Sequence, residues 1–347
     1  MTFAFHPATL PALPRRMDLG IGIIGCGGIV EYGHMPAYRQ AGFNVVGIAS
    51  RTKANVEARA AKWGIERVFT DWRRLLDLPD VQIVDITYPF DDERLEIVRE
   101  AAARGKHILM QKPFAHSMAA ANEMIRLAEQ AGVLLAVNQN ARWCPQYRAA
   151  RIAIEQGLLG DIYFAIHEMQ NNQDSQPYWQ ERWYAQVDRF QIMEYSVHHL
   201  DLLRHWWGGE PTSVKATIAR RPSQSARGEM IATVQMAMPD AGLAVMVDDN
   251  ASHPKAPAVS RFRIEGTAGM ITGEVSANSS FTIHSDLLGN EPQSPALQGT
   301  WFPGSFIGTM GELMRAIEEN RQPTISARDN IKTLEIIFKA YENAGKP

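Results

Sequence analysis

The chain has 347 residues. A single hydrophobic core seldom organises that many, so we expect two domains. Lys and Arg total 35 against 38 Asp and Glu, and no basic run is present, which argues against a protein that binds nucleic acid. Two cysteines, Cys26 and Cys144, exclude a disulfide-rich scaffold, and no apolar run reaches the roughly 18 residues of a membrane span. We therefore expect a soluble, cytoplasmic protein without a membrane partner.

The first part of the chain alternates strand-like and helix-like segments. Residues 1–16 contain prolines but no apolar core, which predicts a flexible leader, and Met17 is an alternative start. The predicted strands are 19–25, 44–50, 67–70, 81–87, 107–111 and 133–138, and the helices between them are 28–40, 53–63, 91–104 and 117–131. Such alternation predicts a parallel sheet covered by helices on both faces. We assign residues 17–141 to an α/β Rossmann dinucleotide-binding domain.

The pattern changes after residue 142. A helix over 145–156 and a strand over 161–169 precede a polar, aromatic loop at 171–184 and a helix over 191–207. Six strand-like runs then fill 212–284, and helices over 305–320 and 327–344 close the chain. Consecutive strands without helices predict a large, mostly antiparallel, open-faced sheet. Residues 142–347 should form an α+β domain for substrate binding and oligomerisation, with the last helix packing back on the first domain.

Glycines separate the first strand from the first helix. In Gly25-Cys26-Gly27-Gly28-Ile29-Val30, Gly25 would allow the tight turn and Gly27 would let a pyrophosphate approach the backbone at the helix N-terminus. Val30 stands where Gly or Ala is usual. Glycines at such a place are also common as plain turn residues, but the strand–turn–helix context favours phosphate binding.

The end of the second strand lacks the acidic residue that usually binds the adenosine ribose. Ser50, Arg51 and Thr52 stand there instead, and a small hydroxyl followed by Arg would accommodate a 2′-phosphate. This predicts NADP as the cofactor, with NAD possible; a solvated turn is the alternative. Further candidate cofactor contacts lie at later strand ends. They are Thr87, Tyr88, Pro89, Gln111, Lys112 and Asn140.

The most specific segment is Gly105–Ala115, which reads GKHILMQKPFA. It resembles the glucose–fructose oxidoreductase, inositol dehydrogenase and MocA family, whose fifth strand ends in Glu-Lys-Pro. Other matching motifs follow in order along the chain. They are the Gly25–Ile29 loop, His34–Ala37, Arg142, Pro145, Gly157, Gly160–Ile162, Gly266–Gly269, Phe306–Ile307 and Asn330.

Three positions depart from the family pattern. The Glu before Lys-Pro is Gln111 here, which removes a charge that could partner a neighbouring group. The His usual at the start of the fourth helix is absent, and Arg94 lies near that place. The Asp found four residues before the active-site His is Glu194 here.

Glu194 and His198 lie four residues apart on one predicted helix and therefore share a face. A carboxylate beside an imidazole suits a general base near neutral pH. The resemblance implies that His198 accepts the hydroxyl proton and that Lys112 stabilises negative charge on the reacting oxygen. Glu194, one methylene longer than Asp, would bind either the imidazole or substrate hydroxyls. A structural His and an exposed acid are the plain alternatives.

Other side chains are weaker candidates. The loop at 171–184 is rich in amides and aromatic rings, as sugar pockets are, or it is a surface loop with Trp179 and Trp183 packed beneath it. Arg142, Trp183 and Tyr195 are candidate substrate contacts. His199 points elsewhere on the helix and should be structural. We expect no metal, although Glu194 and His198 could supply two ligands of a site completed elsewhere.

These features predict an oxidoreductase that transfers a hydride between NAD(P) and a CH–OH carbon of a sugar, polyol or related compound. Two alternatives remain open: an NAD-dependent glycosidase that oxidises, eliminates and re-reduces, and a non-catalytic dinucleotide-binding regulator. We also expect a homodimer or homotetramer formed through the second sheet. Its open face should carry the apolar side chains of Met236, Met238, Leu243 and Met246.

Overall fold

The computed structural model describes residues 4–177, 179, 182–276 and 279–344. The strands are β1 Ile21–Ile24, β2 Val45–Ala49, β3 Val68–Phe69, β4 Ile83–Ile86, β5 His107–Met110, β6 Leu135–Val137, β7 Ile162–Gln170, β8 Ser213–Ala219, β9 Ile231–Ala237, β10 Leu243–Asp249, β11 Val259–Gly266, β12 Gly269–Glu274 and β13 Ser280–Ser285. The α-helices are α1 Met35–Ala41, α2 Lys53–Trp63, α3 Trp72–Leu76, α4 Asp91–Ala103, α5 Met118–Ala131, α6 Pro145–Glu155, α7 Val197–Trp207, α8 Gly304–Glu318 and α9 Ala327–Asn343. Within the described part of the chain, no helix is both long and apolar enough to cross a membrane.

Six parallel strands form the first sheet, in the order β3-β2-β1-β4-β5-β6. Strand order reverses on either side of β1, which creates the crevice where doubly wound folds bind their ligands, at the carboxyl ends of the strands. Strands β1 and β4 are buried along their whole length, as expected for a sheet covered on both faces. The predicted Rossmann architecture is confirmed.

Seven strands form the second sheet, in the order β13-β12-β11-β7-β10-β9-β8. Every neighbouring pair is antiparallel except β7 and β10, which are parallel. One face is buried, and on it the ring of Trp206 in α7 lies 5.0 Å from that of Phe262 in β11. The predicted α+β domain with a mostly antiparallel sheet is therefore confirmed.

The methionines of this sheet occupy the opposite face from the one expected. Met236, Met238 and Met246 are buried, whereas Leu243 is 40% exposed. Side chains alternate between faces along a strand, so a one-residue difference in register reverses the face. The expectation of an open face carrying these methionines was wrong; of the four residues, only Leu243 belongs to that face.

The chain divides into two compact units. The nucleotide unit contains residues 10–144 and 299–331, and the sheet unit contains residues 4–9, 145–298 and 332–344. Helix α8 belongs to the nucleotide unit, where Phe306, Met310 and Leu313 join its core. Helix α9 begins in the nucleotide unit and continues in the sheet unit.

Residues 4–16 are packed in the structure, which differs from the flexible leader expected. In the sheet unit, Phe5 is buried and its backbone N–H donates to Gln293 Oε1 at 2.7 Å. Thr9 is also buried, with its hydroxyl donating to the carbonyl of Gln298. In the nucleotide unit, the backbone N–H of Arg16 donates to Glu318. An apolar anchor and three hydrogen bonds thus fix a segment whose composition alone predicted disorder.

Candidate active site

The glycine loop joins β1 to the first helical turn. Gly25 adopts φ +114°, and a Cβ there would lie 2.1 Å from Thr87 Oγ1. Only glycine fits that conformation and that contact. The chain is helical from Gly28, through Ile29, into a π-helical turn at Val30–His34 and then α1. Val30, the departure from the usual small residue, is fully buried in the core of the nucleotide unit.

Gly27 leaves space at the start of this helix. A Cβ built on Gly27 would meet nothing within 4 Å, in contrast to Gly25. The first N–H groups of any helix lack intrahelical acceptors and carry a partial positive charge. An open backbone at a helix N-terminus beside a strand-order reversal is suited to a pyrophosphate. The residues here therefore fit a dinucleotide.

The end of β2 holds an unexpected ion pair. Ser50 is nearly buried, whereas Arg51 is exposed and places Nη1 2.5 Å from Glu93 Oε1 in the first turn of α4. The Arg51 guanidinium also lies 5.3 Å from the centre of the Tyr88 ring. Burial raises the pKa of Tyr88, so its phenol stays protonated at neutral pH.

Three other predicted cofactor contacts occupy different positions at this edge. Thr52 precedes α2 as its N-cap and is exposed. Thr87 follows β4 and donates its hydroxyl to the Ile24 carbonyl at 3.1 Å, which ties the ends of β1 and β4 together. Pro89 is partly buried and follows Tyr88 directly.

Gln111 lies at the end of β5 inside a buried polar cluster. Its Oε1 accepts from Asn138 Nδ2 at 2.7 Å and lies 3.2 Å from His34 Nε2. The other ring nitrogen of His34 is 2.6 Å from Asp85 Oδ2, which also accepts from the Tyr38 hydroxyl. The side-chain amide that replaces the family's Glu is thus satisfied within the domain core, where its bonds fix the end of β5.

Lys112 follows Gln111 directly and is partly buried. The segment after it is held by Arg94, a nearly fully buried residue of α4. The Arg94 guanidinium donates to the carbonyls of Tyr88, Pro113 and Phe114. Arg94 therefore links the ends of β4 and β5 and fixes the backbone that carries Lys112.

Asn140 and Arg142 lie in the turn after β6, and both are buried. Asn140 Nδ2 donates to Ser305 Oγ at 2.9 Å. Arg142 donates to the Thr324 carbonyl at 2.9 Å and to Asp329 Oδ2 at 2.8 Å. The structure thus places Asn140 against α8, and Arg142 against the first turn of α9 and the segment that precedes it.

In the sheet unit, Glu194 and His198 lie in consecutive helical segments. Glu194 is buried in a π-helical turn, Gln191–Tyr195, and His198 is partly buried in the first turn of α7. The predicted helix is thus present, but its first turn is wider than an α-helical one. Single π-helical turns occur often at functional sites.

His199 makes the structural contacts that its position predicted. Its Nδ1 is 2.6 Å from Asp248 Oδ2 in β10, and the same oxygen accepts from the Ser196 hydroxyl. The ring stacks on His167 with centroids 3.8 Å apart. Burial, with a further contribution from His199, holds the pKa of His167 well below its ordinary value. His167 is therefore neutral at pH 7.

Donor atoms of His167, His199 and Asp248 all lie within 4.8 Å of one another. His199 Nδ1 and Asp248 Oδ2 already share a hydrogen bond, and His167 Nε2 lies 2.9 Å from the Tyr147 hydroxyl. We therefore interpret the three residues as a hydrogen-bonded cluster that fixes the start of α7 against the sheet.

The aromatic loop divides between core and surface. Trp179 is fully buried and packs edge-on against Phe190, with ring centroids 5.0 Å apart. Trp183 is 36% exposed, and the Tyr195 hydroxyl donates to Gln173 Oε1 at 3.1 Å. Of the two tryptophans Trp179 and Trp183, the first therefore packs beneath the loop and the second lies at its surface. Within the predicted loop, Tyr178, Gln180 and Glu181 lie outside the described residues.

Glu93, Asp85 and Asn138 were not singled out from the sequence, although Glu93 contacts Arg51, Asn138 contacts Gln111, and Asp85 contacts His34 in the cluster around Gln111. These residues are hard to identify as functional from the sequence, because an acid in the first turn of a helix and polar residues at strand ends commonly have structural roles. Arg94 was noticed only as a departure from the family. Its function in the fold became evident from its three carbonyl acceptors.

Comparison with known proteins places this geometry in a family. Residues 19–139 match an oxidoreductase family with an NAD-binding Rossmann fold, and residues 147–272 match the GFO/IDH/MocA C-terminal domain. A D-apiose dehydrogenase of Paraburkholderia graminis is 26% identical over 336 residues, which cover 93% of this chain and 86% of that protein.

Solved structures share the fold. An oxidoreductase from Agrobacterium radiobacter, in complex with NAD⁺, L-tartaric acid and magnesium, superposes with a TM-score of 0.82 at 24% identity, covering 95% of this chain and 97% of that one. A levoglucosan dehydrogenase bound to NADH and levoglucosan gives a TM-score of 0.81 at 20% identity, covering 94% of this chain and 97% of its own. The two matched family domains, which together cover more than half of the chain, show that it belongs to the glucose–fructose oxidoreductase, inositol dehydrogenase and MocA family of oxidoreductases.

Proposed function

We propose that this protein is an NAD(P)-dependent oxidoreductase acting on a CH–OH group of a sugar, polyol or related polyhydroxy compound. The observation that carries the proposal is the glycine loop. Position 25 requires glycine because of its φ of +114° and the close approach of Thr87. A Cβ on Gly27, at a helix N-terminus, would in contrast meet no other atom within 4 Å. That combination is expected where a pyrophosphate approaches the backbone.

The reaction needs a hydride acceptor and a base. When bound, the oxidised nicotinamide accepts the hydride from the carbon that bears the hydroxyl. His198 accepts the hydroxyl proton, so that the C–O bond becomes a carbonyl. Lys112 donates a hydrogen bond to the oxygen and stabilises the negative charge that develops there. In the reverse direction, His198 would return the proton to the carbonyl oxygen.

A polyhydroxy substrate is supported by residue chemistry and by the relatives. Glu194 provides an acceptor for hydroxyl groups. Trp183 in the loop and Tyr195 in the π-helical turn provide aromatic rings, and the loop also provides amide side chains, both of the kind that contact sugars. Arg142 is a weaker substrate contact because it is already bonded to Thr324 and Asp329. Relatives include D-apiose dehydrogenase and inositol 2-dehydrogenase, both named for polyhydroxy substrates.

Arg51 supports the use of NADP. Its guanidinium provides a cation at the end of β2, where the sequence has no acid to bind the ribose hydroxyl. We therefore expect NADP(H) to bind more tightly than NAD(H), with NAD(H) also accepted.

The deciding experiment is a screen of pentoses, hexoses, inositols and sugar alcohols with NAD⁺ and with NADP⁺. The absorbance of the reduced nicotinamide reports turnover. Substrate-dependent reduction in proportion to product supports a dehydrogenase. Product formed from a glycoside without net cofactor reduction would point to the glycosidase alternative. Cofactor binding without any turnover would favour a regulator.

A further inference from the structure

The cation expected to bind a 2′-phosphate already has a partner. Arg51 Nη1 lies 2.5 Å from Glu93 Oε1, and the Arg51 guanidinium also rests near the Tyr88 ring. Arg51 follows β2, Tyr88 follows β4, and Glu93 lies in the first turn of α4. Glu93 of α4 therefore places a carboxylate beside the end of β2, where β2 itself has no acidic residue.

The second oxygen of this carboxylate lacks a hydrogen-bond donor among the described residues. Glu93 Oε2 is buried and has no hydrogen-bond partner among the residues that the structure describes. A carboxylate accepts up to four hydrogen bonds, and a buried acceptor without a donor is costly. A sugar hydroxyl is a suitable donor. The usual ribose-binding acid of a Rossmann fold performs this function from the end of the second strand.

We propose that Glu93 sets the cofactor selectivity of this protein, an inference that rests on the dinucleotide site proposed above. Its carboxylate accepts a hydrogen bond from the adenosine ribose of NAD. With NADP, the same carboxylate repels the 2′-phosphate, which carries a charge of about −1.5 to −2, and competes with it for Arg51. Glu93 therefore limits the preference for NADP that Arg51 alone would give.

The ion pair between Arg51 and Glu93 is weak enough for contacts with a bound ligand to replace it. The Arg51 side chain is 66% exposed and that of Glu93 is 31% exposed, and ion pairs in such surroundings contribute little to stability. Replacing Glu93 by Gln keeps its shape and removes its charge. The folded protein should tolerate this change, so an effect on binding is separable from an effect on folding.

Glu93→Gln tests the proposal, with Glu96→Gln as the matched control. Glu96 lies on the same helix and forms a similar exposed ion pair, with Arg73. Calorimetric titration with NAD⁺ and NADP⁺ should show NADP⁺ binding about tenfold more tightly to Glu93→Gln than to wild type at low salt. NAD⁺ should bind about threefold more weakly, because the ribose hydroxyl then bonds to a neutral amide oxygen instead of a charged carboxylate. The control should change neither affinity by more than about twofold, because Glu96 is exposed and pairs with Arg73 instead of Arg51.

The outcomes separate this inference from the proposed function. An unchanged ratio of the two affinities in Glu93→Gln overturns the inference. If Arg51→Gln weakens NADP⁺ binding while Glu93→Gln alters neither cofactor, the dinucleotide site stands and the assignment of Glu93 fails. If the folded wild type binds neither dinucleotide, the proposed function itself is wrong.

Discussion

We assign different roles to two neighbouring histidines of α7, His198 and His199. His199 is enclosed by Asp248 and His167, so its side chain stabilises the sheet unit. His198 is partly buried and is the residue that the family pattern assigns to proton transfer. Lys112 and Gln111 show the same division, because Gln111 is bonded into the domain core whereas Lys112 is proposed to act on substrate.

We predict that Lys112→Ala lowers kcat by about 10²–10⁴-fold, because the lysine stabilises charge that appears only during hydride transfer. Cofactor affinity should stay within about threefold, since the pyrophosphate is held mainly by backbone N–H groups. Steady-state kinetics and cofactor titration check both statements. Lys255→Ala, an exposed lysine in the sheet unit, is the control. Near-normal turnover of Lys112→Ala would show that the site is assigned wrongly.

Buried His167 gives a prediction about pH. Its pKa in the folded protein is well below the ordinary 6.5 because burial opposes protonation. Below pH 6.5 the unfolded chain binds a proton at this residue that the folded chain does not, so stability falls as pH falls. His107 shifts in the same direction, again because of burial. Each such group removes up to about 1.4 kcal/mol of unfolding free energy per pH unit.

Urea unfolding of the wild type and of His167→Gln between pH 5 and 7 measures this contribution. The variant should be less stable at pH 7, where its stacking on His199 is lost, but its stability should fall less steeply with acid. Equal slopes for the two proteins would contradict the assignment to His167.

At the scale of elements, the strand–helix rhythm was sufficient to predict both sheets. Burial of the six-stranded sheet on both faces leaves continuous apolar runs, and Gly42, Gly64 and Gly132 end their helices in the left-handed conformation. The short helix α3 lies between two predicted strands and was not among the predicted helices, although Asp71, a residue type that favours helix starts, stands at its N-cap position. That cap is present, since Asp71 accepts from the backbone of Arg73.

Features that depend on contacts between distant segments were not predictable in this way. The position of Gln111 depends on His34 and Asn138, which are 77 and 27 residues away. The π-helical turn before α7 is a local widening that side-chain periodicity does not distinguish from an α-helix. The order of residues 4–9 depends on Gln293 and Gln298, nearly 300 residues away along the chain.

The glycine loop supplies a prediction at this scale. Gly27→Ala should leave the thermal unfolding temperature unchanged, because its Cβ meets nothing within 4 Å. It should weaken the binding of both NADH and NADPH by about tenfold or more, because the methyl group enters the space where a pyrophosphate would approach. Fluorescence titration of the reduced cofactors measures this. An alanine that leaves both affinities intact would place the pyrophosphate elsewhere.

For the whole molecule, we propose a homodimer or homotetramer formed through the exposed face of the second sheet. Phe164 and Ile166 of β7 lie beside Leu243 and Val245 of β10 on that face, and all four are at least partly exposed. A contiguous apolar patch of this kind is typical of an interface, and a twofold axis would pair it with itself. These residues replace the methionines expected from the sequence.

The double variant Ile166→Lys/Val245→Lys should dissociate the assembly, because it places unpaired charges within the patch. Light scattering should then give a mass near 38.7 kDa, whereas the wild type should give two or four times that value. Ala58→Lys, on an exposed position of α2 in the nucleotide unit, is the control and should not dissociate. A wild-type mass near that of one chain at micromolar concentration would refute the proposal.

The late position of α8 has a consequence for synthesis on the ribosome. Phe306 and Met310 complete the core of the nucleotide unit, yet about 160 residues separate the turn after β6 from the start of α8. At about 5–20 residues per second, that interval lasts roughly 10–30 s. During it, the nascent six-stranded sheet exposes the apolar surface that α8 later covers. Chaperones that bind nascent chains should therefore engage this protein most strongly after β6 has emerged, and release it once α8 has left the exit tunnel.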